Sequence, residues 1–249
     1  MIISYIQSYL AGADIVDIVI FAALTVMSLL LSLTVHECAH GWMAHKCGDD
    51  TAYMNGRVTL NPIAHLDPMG ALSMLFIGYG WAKAVPVNFR NLRKPRRDIA
   101  LVSLAGPVSN LILALVFTAL YTAVEVVHKS SLIHDDLPEN TFTTILFAAF
   151  YLTATLNVGL AVFNLIPLPP LDGSKVLACL LPPTTAAKYL MWERYFYIVM
   201  LVLVLGRNIP VVETIVGYIW APVDFIREAI IGLFATPFYI LWSLIKGLF

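Results

Sequence analysis

The sequence predicts an all-α polytopic membrane protein with five or six transmembrane helices, and three observations predict it. Of 249 residues, 59% are hydrophobic and only 12% charged, where an average soluble domain carries roughly a quarter charged residues. Mean hydropathy is +0.81. The apolar residues are gathered into uncharged runs of membrane-spanning length. Fifteen basic and sixteen acidic side chains cannot cover a water-soluble body of this size. Soluble globular, disordered and nucleic-acid-binding classes are excluded at this step.

A spanning helix needs about 20 mostly apolar residues. Ile18–Val35 offers 18 without a charge, and the helical pattern continues through His36–His45. Ile99–Val124 offers 26 and Thr141–Leu171 offers 31, although Pro167, Pro169 and Pro170 must break any helix near the end of the latter. Beyond Lys188 the pattern weakens: Tyr195–Leu205 is short and is interrupted by Arg207, whereas Ile230–Ile245 is a better span. Met1–Ala13 contains no Lys or Arg, so the basic start of a cleavable signal peptide is missing. A short helix lying at the membrane surface is expected there.

Charge sets the orientation. Residues 46–97 hold eight of the fifteen basic residues against three acids, whereas His128–Asn140 has one Lys and three acids. The positive-inside bias places 46–97 in the cytoplasm, 128–140 and the N-terminus outside, and 172–194 (with Lys175, Lys188 and Arg194) in the cytoplasm again. Within the long first loop, Gly70–Tyr79 is apolar but too short to span, which suggests a segment that dips into the membrane and returns. Arg57–Leu60 and Ala84–Phe89 carry β-favouring residues bounded by Asn-Gly and Pro. They predict a small membrane-associated β-hairpin or sheet in this cytoplasmic loop. Cys38, Cys47 and Cys179 are odd in number and scattered, which fits no disulfide framework.

The first span ends in His36-Glu37-Cys38-Ala39-His40, an HExxH motif. Two His four residues apart lie about 40° from each other on one helical face, so both imidazoles can reach one ion. Zinc is the natural ion for neutral imidazoles in a tetrahedral set. Glu37, beside such an ion without binding it, is placed to take a proton from an activated water. Ionisable groups at the end of an apolar helix cost several kcal/mol if idle, and are functional by default. Helix rise of about 1.5 Å per residue puts His36 roughly 27 Å from Ile18, near the inner edge of a 30 Å hydrocarbon core. His45 points to the opposite face and reads as an interfacial residue, and Cys38 reads as packing. Three protein ligands are typical of a catalytic zinc site. The candidates for the third are His65, Asp67, Asp49, Asp50 and Asp172. Asp172 stands out because it closes the 31-residue apolar run on a proline-rich turn; the alternative is that it merely caps a helix starting at Ser174.

Taken together, these residues resemble those of the site-2 proteases, intramembrane zinc metalloproteases, and look most like their short bacterial members without a PDZ domain. The resemblance rests on His36–His40 and on Asn164-x-x-Pro167-x-Pro169-x-Leu171-Asp172-Gly173. Further matches are Asn61–Pro68, Gly80–Lys83 before Pro86-Val87-Asn88, and Ala105-Gly106-Pro107-Val108-Ser109-Asn110. They spread over residues 34–175; the last 60 residues carry no matching motif. The resemblance implies one membrane-embedded protease domain over 1–249, with a catalytic core at 14–175 and additional helices at 189–249. It implies His36, His40 and Asp172 as ligands of Zn²⁺ and Glu37 as catalytic base. Asn164 is then a candidate for steadying the substrate backbone or the oxyanion, with a helix-packing hydrogen bond as its alternative. His65 and Asp67 match a recurrent loop with a supporting, gating or purely structural job.

The implied activity is intramembrane endoproteolysis, with a transmembrane-helix protein as substrate, for example a membrane anti-sigma factor or a remnant signal peptide. The location is the cell membrane, with the lipid bilayer as surroundings, the active site toward the cytoplasm and no nucleic-acid partner. A substrate helix must unwind before its peptide bonds can be attacked, and an extended segment in lipid needs partners for its N–H and C=O groups. Two other classes share the ligands. A metal or ion transporter would favour mid-membrane ligands and inverted repeats, and neither is seen. A non-catalytic zinc scaffold has no use for Glu37.

Overall fold

In the computed structural model, residues 12, 14–70, 73, 81–129, 141–195, 198 and 210–246 are described. Among the described residues, three helices are long and apolar enough to cross a membrane: α1 (Ile15–Cys47), α4 (Pro95–Lys129) and α5 (Thr141–Leu165). They coincide with the three uncharged runs. The short helices α2 (Thr51–Met54) and α3 (Pro62–His65) follow α1, and α6 (Asp172–Leu180) and α7 (Pro183–Leu190) follow α5. A long helix, α8 (Pro210–Lys246), packs on α4 and α5. The expected surface helix at 1–13, the dip at Gly70–Tyr79, the external loop at 128–140 and the span at Tyr195–Leu205 fall wholly or largely outside the described residues.

Helix α1 shows why its residues form one unbroken element through the HExxH. Asp14 caps its start by accepting from the Val16 N–H at 2.8 Å, one of the N–H groups a helix start leaves unsatisfied. Its end is set by Gly48, whose φ of 106° is open to glycine at little steric cost. Helix α4 lies along both α1 and α5, so three apolar helices share one seam. The seam is not wholly apolar: Ser32, Asn110, Thr118, Thr122 and Asn157 are fully buried in it. Groups of this kind cost free energy inside a membrane protein unless paired.

The expected β-hairpin or sheet is not found: among the described residues there is no strand, and pairing is limited to one isolated antiparallel bridge between Leu66 and Ala82. The reason lies in side chains that take up the backbone groups a partner strand would need. Arg57 donates to the carbonyls of Lys83 (2.7 Å) and Ala84 (3.5 Å), Glu37 accepts from the Val85 N–H, and Asp49 accepts from the Asn88 N–H. Pro86 has no N–H to offer. Residues 82–88 are therefore an extended segment held by side chains. Its start is tied back to the end of α3, since the Lys83 N–H donates to His65 O at 2.9 Å.

Asp49 is the clasp of this arrangement. Fully buried just past α1, it accepts from the Thr51 hydroxyl (2.5 Å), the Thr51 N–H (3.2 Å), the Asn88 N–H (2.7 Å) and the Asn91 side-chain amide (2.8 Å). Burial acts to raise its pKa. The hydrogen bonds from Thr51, Asn91 and Asn88 outweigh that, and the carboxyl is held below the usual carboxylate range. A folded pKa below the unfolded value of about 3.9 means that the stabilisation is full above roughly pH 4. It is lost as pH falls through the folded pKa. Asp49→Ala should cost about 1–3 kcal/mol by stranding buried donors. It should also remove this acid-dependent component, read as thermal stability in detergent between pH 7 and 3.

Candidate metal centre

The turn of α1 that carries the HExxH faces α4, and α6 brings Asp172 to the same point. His36 and His40 are buried, at 5% and 9% exposure, and their rings meet edge-to-face with centroids 4.6 Å apart. Their Nε2 atoms are 3.0 Å apart. Asp172 Oδ2 lies 3.2 Å from His36 Nε2 and 3.1 Å from His40 Nε2. Two residues on one helical turn thus meet a third, 132 residues further on.

Asp172 is the first residue of α6, not the cap of a helix beginning at Ser174. The hydroxyl and N–H of Ser174 both bond to Leu171 O, at 2.6 and 3.0 Å, and fix that first turn. A Cβ at Gly173 would come within 2.2 Å of Leu165 O, so only glycine lets α6 start this close to the end of α5. The other carboxylate oxygen, Oδ1, receives Lys175 Nζ at 3.3 Å. Oδ2 is left to face the imidazoles.

The far sides of the rings decide what the near sides can do. His36 Nδ1 lies 2.5 Å from Asn110 Oδ1, and His40 Nδ1 lies 2.7 Å from Val102 O. Both partners can only accept, so each Nδ1 carries a proton, and in the neutral imidazole each Nε2 presents a lone pair. With both rings neutral, three lone pairs converge within hydrogen-bonding distance, a repulsive set that a cation resolves. Tetrahedral zinc with bonds of about 2.0–2.1 Å separates its ligand atoms by about 3.3 Å, close to the 3.0–3.2 Å seen here. Space is provided as well: a Cβ at Gly106 of α4 would stand 2.5 Å from His40 Nε2 and 2.6 Å from His36 Nε2. The residues fit zinc in number, chemistry and geometry.

The remaining candidates lie elsewhere. Glu37, half-buried, accepts from the Val85 N–H at 2.9 Å and so couples the HExxH turn to the extended segment 82–88. Asn164 donates to Leu160 O of its own helix at 3.0 Å. Neither His65 nor Asp67 joins the metal-ligand group. His65 Nε2 bonds Thr59 O at 2.9 Å, and Asp67 accepts from the Gly70 N–H at 2.8 Å; both shape their own loop. Asp49 holds the 88–91 segment, and Asp50 pairs with His45 at 2.5 Å. The residues that sequence reasoning left without a role are Asn110, Gly106, Val102 and Lys175. Asn110 and Gly106 stand in the Ala105–Asn110 motif, which was the available signal; a backbone carbonyl such as that of Val102 leaves none.

A buried His–His–Asp group that fits a metal, with a carboxylate one residue after its first member and set among helices long and apolar enough to cross a membrane, is the arrangement of a membrane metalloprotease. The profile of peptidase family M50 matches residues 24–206, and the chain belongs to this family, that of the site-2 proteases. It is 42% identical to YwhC of Bacillus subtilis (strain 168) over 86% of its own length and 91% of that protein's. It is 32% identical to Rip2 of Mycobacterium tuberculosis (strain H37Rv), over 81% of its own length and 75% of that protein's. Rip2 of Mycolicibacterium smegmatis is 29% identical over 73% of this chain and 66% of its own. The names of all three assign them provisionally to the zinc metalloproteases. No solved structure gives a significant match.

Proposed function

We propose that this chain is a zinc-dependent intramembrane endopeptidase that hydrolyses peptide bonds within transmembrane segments of membrane proteins, near their cytoplasmic ends. The observation that carries this reading is the contact between Glu37 and the Val85 N–H. It ties the carboxylate of the HExxH turn, one residue after the first ligand, to an extended stretch of chain. Zinc, held by His36, His40 and Asp172, supplies Lewis-acid chemistry that activates water and polarises a peptide carbonyl. Glu37 takes the proton released as the water oxygen bonds to the carbonyl carbon, and returns it to the leaving amine as the C–N bond breaks. The Val85 N–H keeps the Glu37 carboxylate at that place. An unwound substrate segment aligns along residues 82–88 and pairs with the backbone groups there that Arg57, Glu37 and Asp49 leave unengaged, as extended peptides do at sheet edges.

In this reading the N-terminus lies outside and the centre opens toward the cytoplasm, following the charge bias of the loops. Substrates are proteins with a transmembrane helix, of which membrane anti-sigma factors and remnant signal peptides are examples. Glu37→Gln tests the reading. The protein should keep its full zinc complement, while cleavage of a model single-span substrate in proteoliposomes falls by at least about 10²-fold. Cleavage at the wild-type rate would overturn Glu37 as the base. Cleavage confined to water-exposed loops of the substrate would overturn the intramembrane assignment.

A further inference from the structure

The metal-ligand geometry depends on His36 carrying its proton on Nδ1, and that depends on which way the Asn110 carboxamide is turned. With Oδ1 toward the ring, Nδ1 donates and Nε2 keeps its lone pair. Turned over, the amide would offer an NH₂ group and Nδ1 would have to accept. The ring proton would then sit on Nε2, aimed at His40 Nε2 and Asp172 Oδ2, where it blocks a cation. Asn110 is fully buried, so water does not set its orientation. Its Nδ2 donates to two acceptors, Ser32 O at 3.2 Å and Asn157 Oδ1 at 2.6 Å.

Asn157 is itself locked. Its Nδ2 donates to Thr153 O and to Ser32 Oγ, each at 2.8 Å. Ser32 Oγ is free to accept because its own proton goes to Ser28 O at 2.6 Å. Turning Asn157 over would set its NH₂ against the NH₂ of Asn110, and its oxygen against Thr153 O. Each repulsive contact would fall at a buried site, where no water replaces the lost hydrogen bond. The order therefore runs one way: a serine hydroxyl and a backbone carbonyl fix Asn157, Asn157 together with the Ser32 carbonyl fixes Asn110, and Asn110 fixes the His36 tautomer. Three helices contribute, α1, α4 and α5.

We propose that Asn157, in the middle of α5 and outside every motif of the site, is a positioning residue for the metal centre. It acts through Asn110 to keep the His36 Nε2 lone pair available to zinc. The proposal rests on the metal-site reading but not on proteolysis, so its test is made on metal affinity and on the ring itself.

The experiment uses the full chain in detergent micelles. Zinc affinity is measured by competition with a chelator, and the His36 tautomer by ¹⁵N NMR of the zinc-free, histidine-labelled protein. Asn157→Leu, which keeps the forked outline of the side chain but is bulkier, removes the amide and should weaken zinc binding about 10- to 100-fold, as loss of a partner that orients a ligand does. The Nε2–H tautomer of His36 should appear in its spectrum. Asn157→Asp keeps an acceptor toward Asn110 Nδ2 but sets an oxygen against Thr153 O; it should retain Nδ1–H on His36 and bind zinc more tightly than Asn157→Leu. A residue that merely packs would show the reverse order, Leu tolerated and Asp not, and that order would overturn the proposal. So would an unchanged His36 spectrum in Asn157→Leu. Asn157→Ala, which adds no bulk, supplies the same two readouts if the Leu variant does not fold. Wild-type protein that binds no zinc would instead defeat the metal-site reading, and this proposal with it.

Discussion

Gly106→Ala should deprive the protein of its zinc. The added methyl carbon would stand 2.5 Å from His40 Nε2 and 2.6 Å from both Nε2 and Cε1 of His36, well inside the contact distance of about 3.5 Å at which such atoms cease to attract. It would occupy the space into which the two lone pairs project. The rings have little room to retreat, because their Nδ1 ends are tied to Asn110 Oδ1 and Val102 O. Moving them aside breaks buried hydrogen bonds at about 1–3 kcal/mol each. Zinc content of the purified variant should fall below roughly a tenth of wild type, while helical content by circular dichroism stays unchanged, since alanine favours the helix. Gly159→Ala on α5 is the matched control, because a Cβ there meets nothing within 4 Å. Full zinc occupancy in Gly106→Ala would contradict the close approach of α4 to the HExxH turn.

Local periodicity explains what the sequence disclosed and what it withheld. The three uncharged runs became α1, α4 and α5 because a long apolar helix satisfies its own backbone and needs little from the rest of the chain. His36 and His40 were readable for the same reason: four residues on a helix fix their separation without knowledge of the fold. Asp172 needed more. Its physical signal was an acid stranded at the end of an apolar run, which marks it as engaged without saying with what; its partnership with the two histidines came from the family resemblance. The β-hairpin failed where side chains competed for backbone groups. Nothing in the spacing of residues 57–60 and 84–89 announces that Arg57 would take the carbonyls of Lys83 and Ala84, or that Glu37 would take the Val85 N–H. The partners of Asn110 and Asn157 were opaque for a related reason. A buried amide in an apolar helix has a partner, but the partner is chosen by packing across three helices and leaves no pattern along the chain.

Asp172→Ala should weaken zinc binding more than any substitution outside the two histidines and Gly106. Structural zinc sites bind with about 10–16 kcal/mol over four ligands, so one ligand contributes on the order of 3 kcal/mol. The loss of affinity should be about 10²- to 10³-fold by chelator competition. Asp172→Asn is the sharper comparison: it keeps shape and one oxygen but gives up the charge, and it offers an NH₂ that can turn toward the imidazoles. It should lie between alanine and wild type. Lys175 bears on the same carboxylate from its other oxygen, at 3.3 Å, with about two-fifths of its side chain exposed. Water screens a pair that open. Lys175→Met should therefore reduce affinity by no more than about tenfold, the low end for a group that only orients a ligand. The ordering of the three variants separates two functions of Asp172, binding the ion through Oδ2 and being held in place through Oδ1. Equal losses in Asp172→Ala and Lys175→Met would mean that the carboxylate is not the third ligand and that the charge balance of the whole cluster governs the ion.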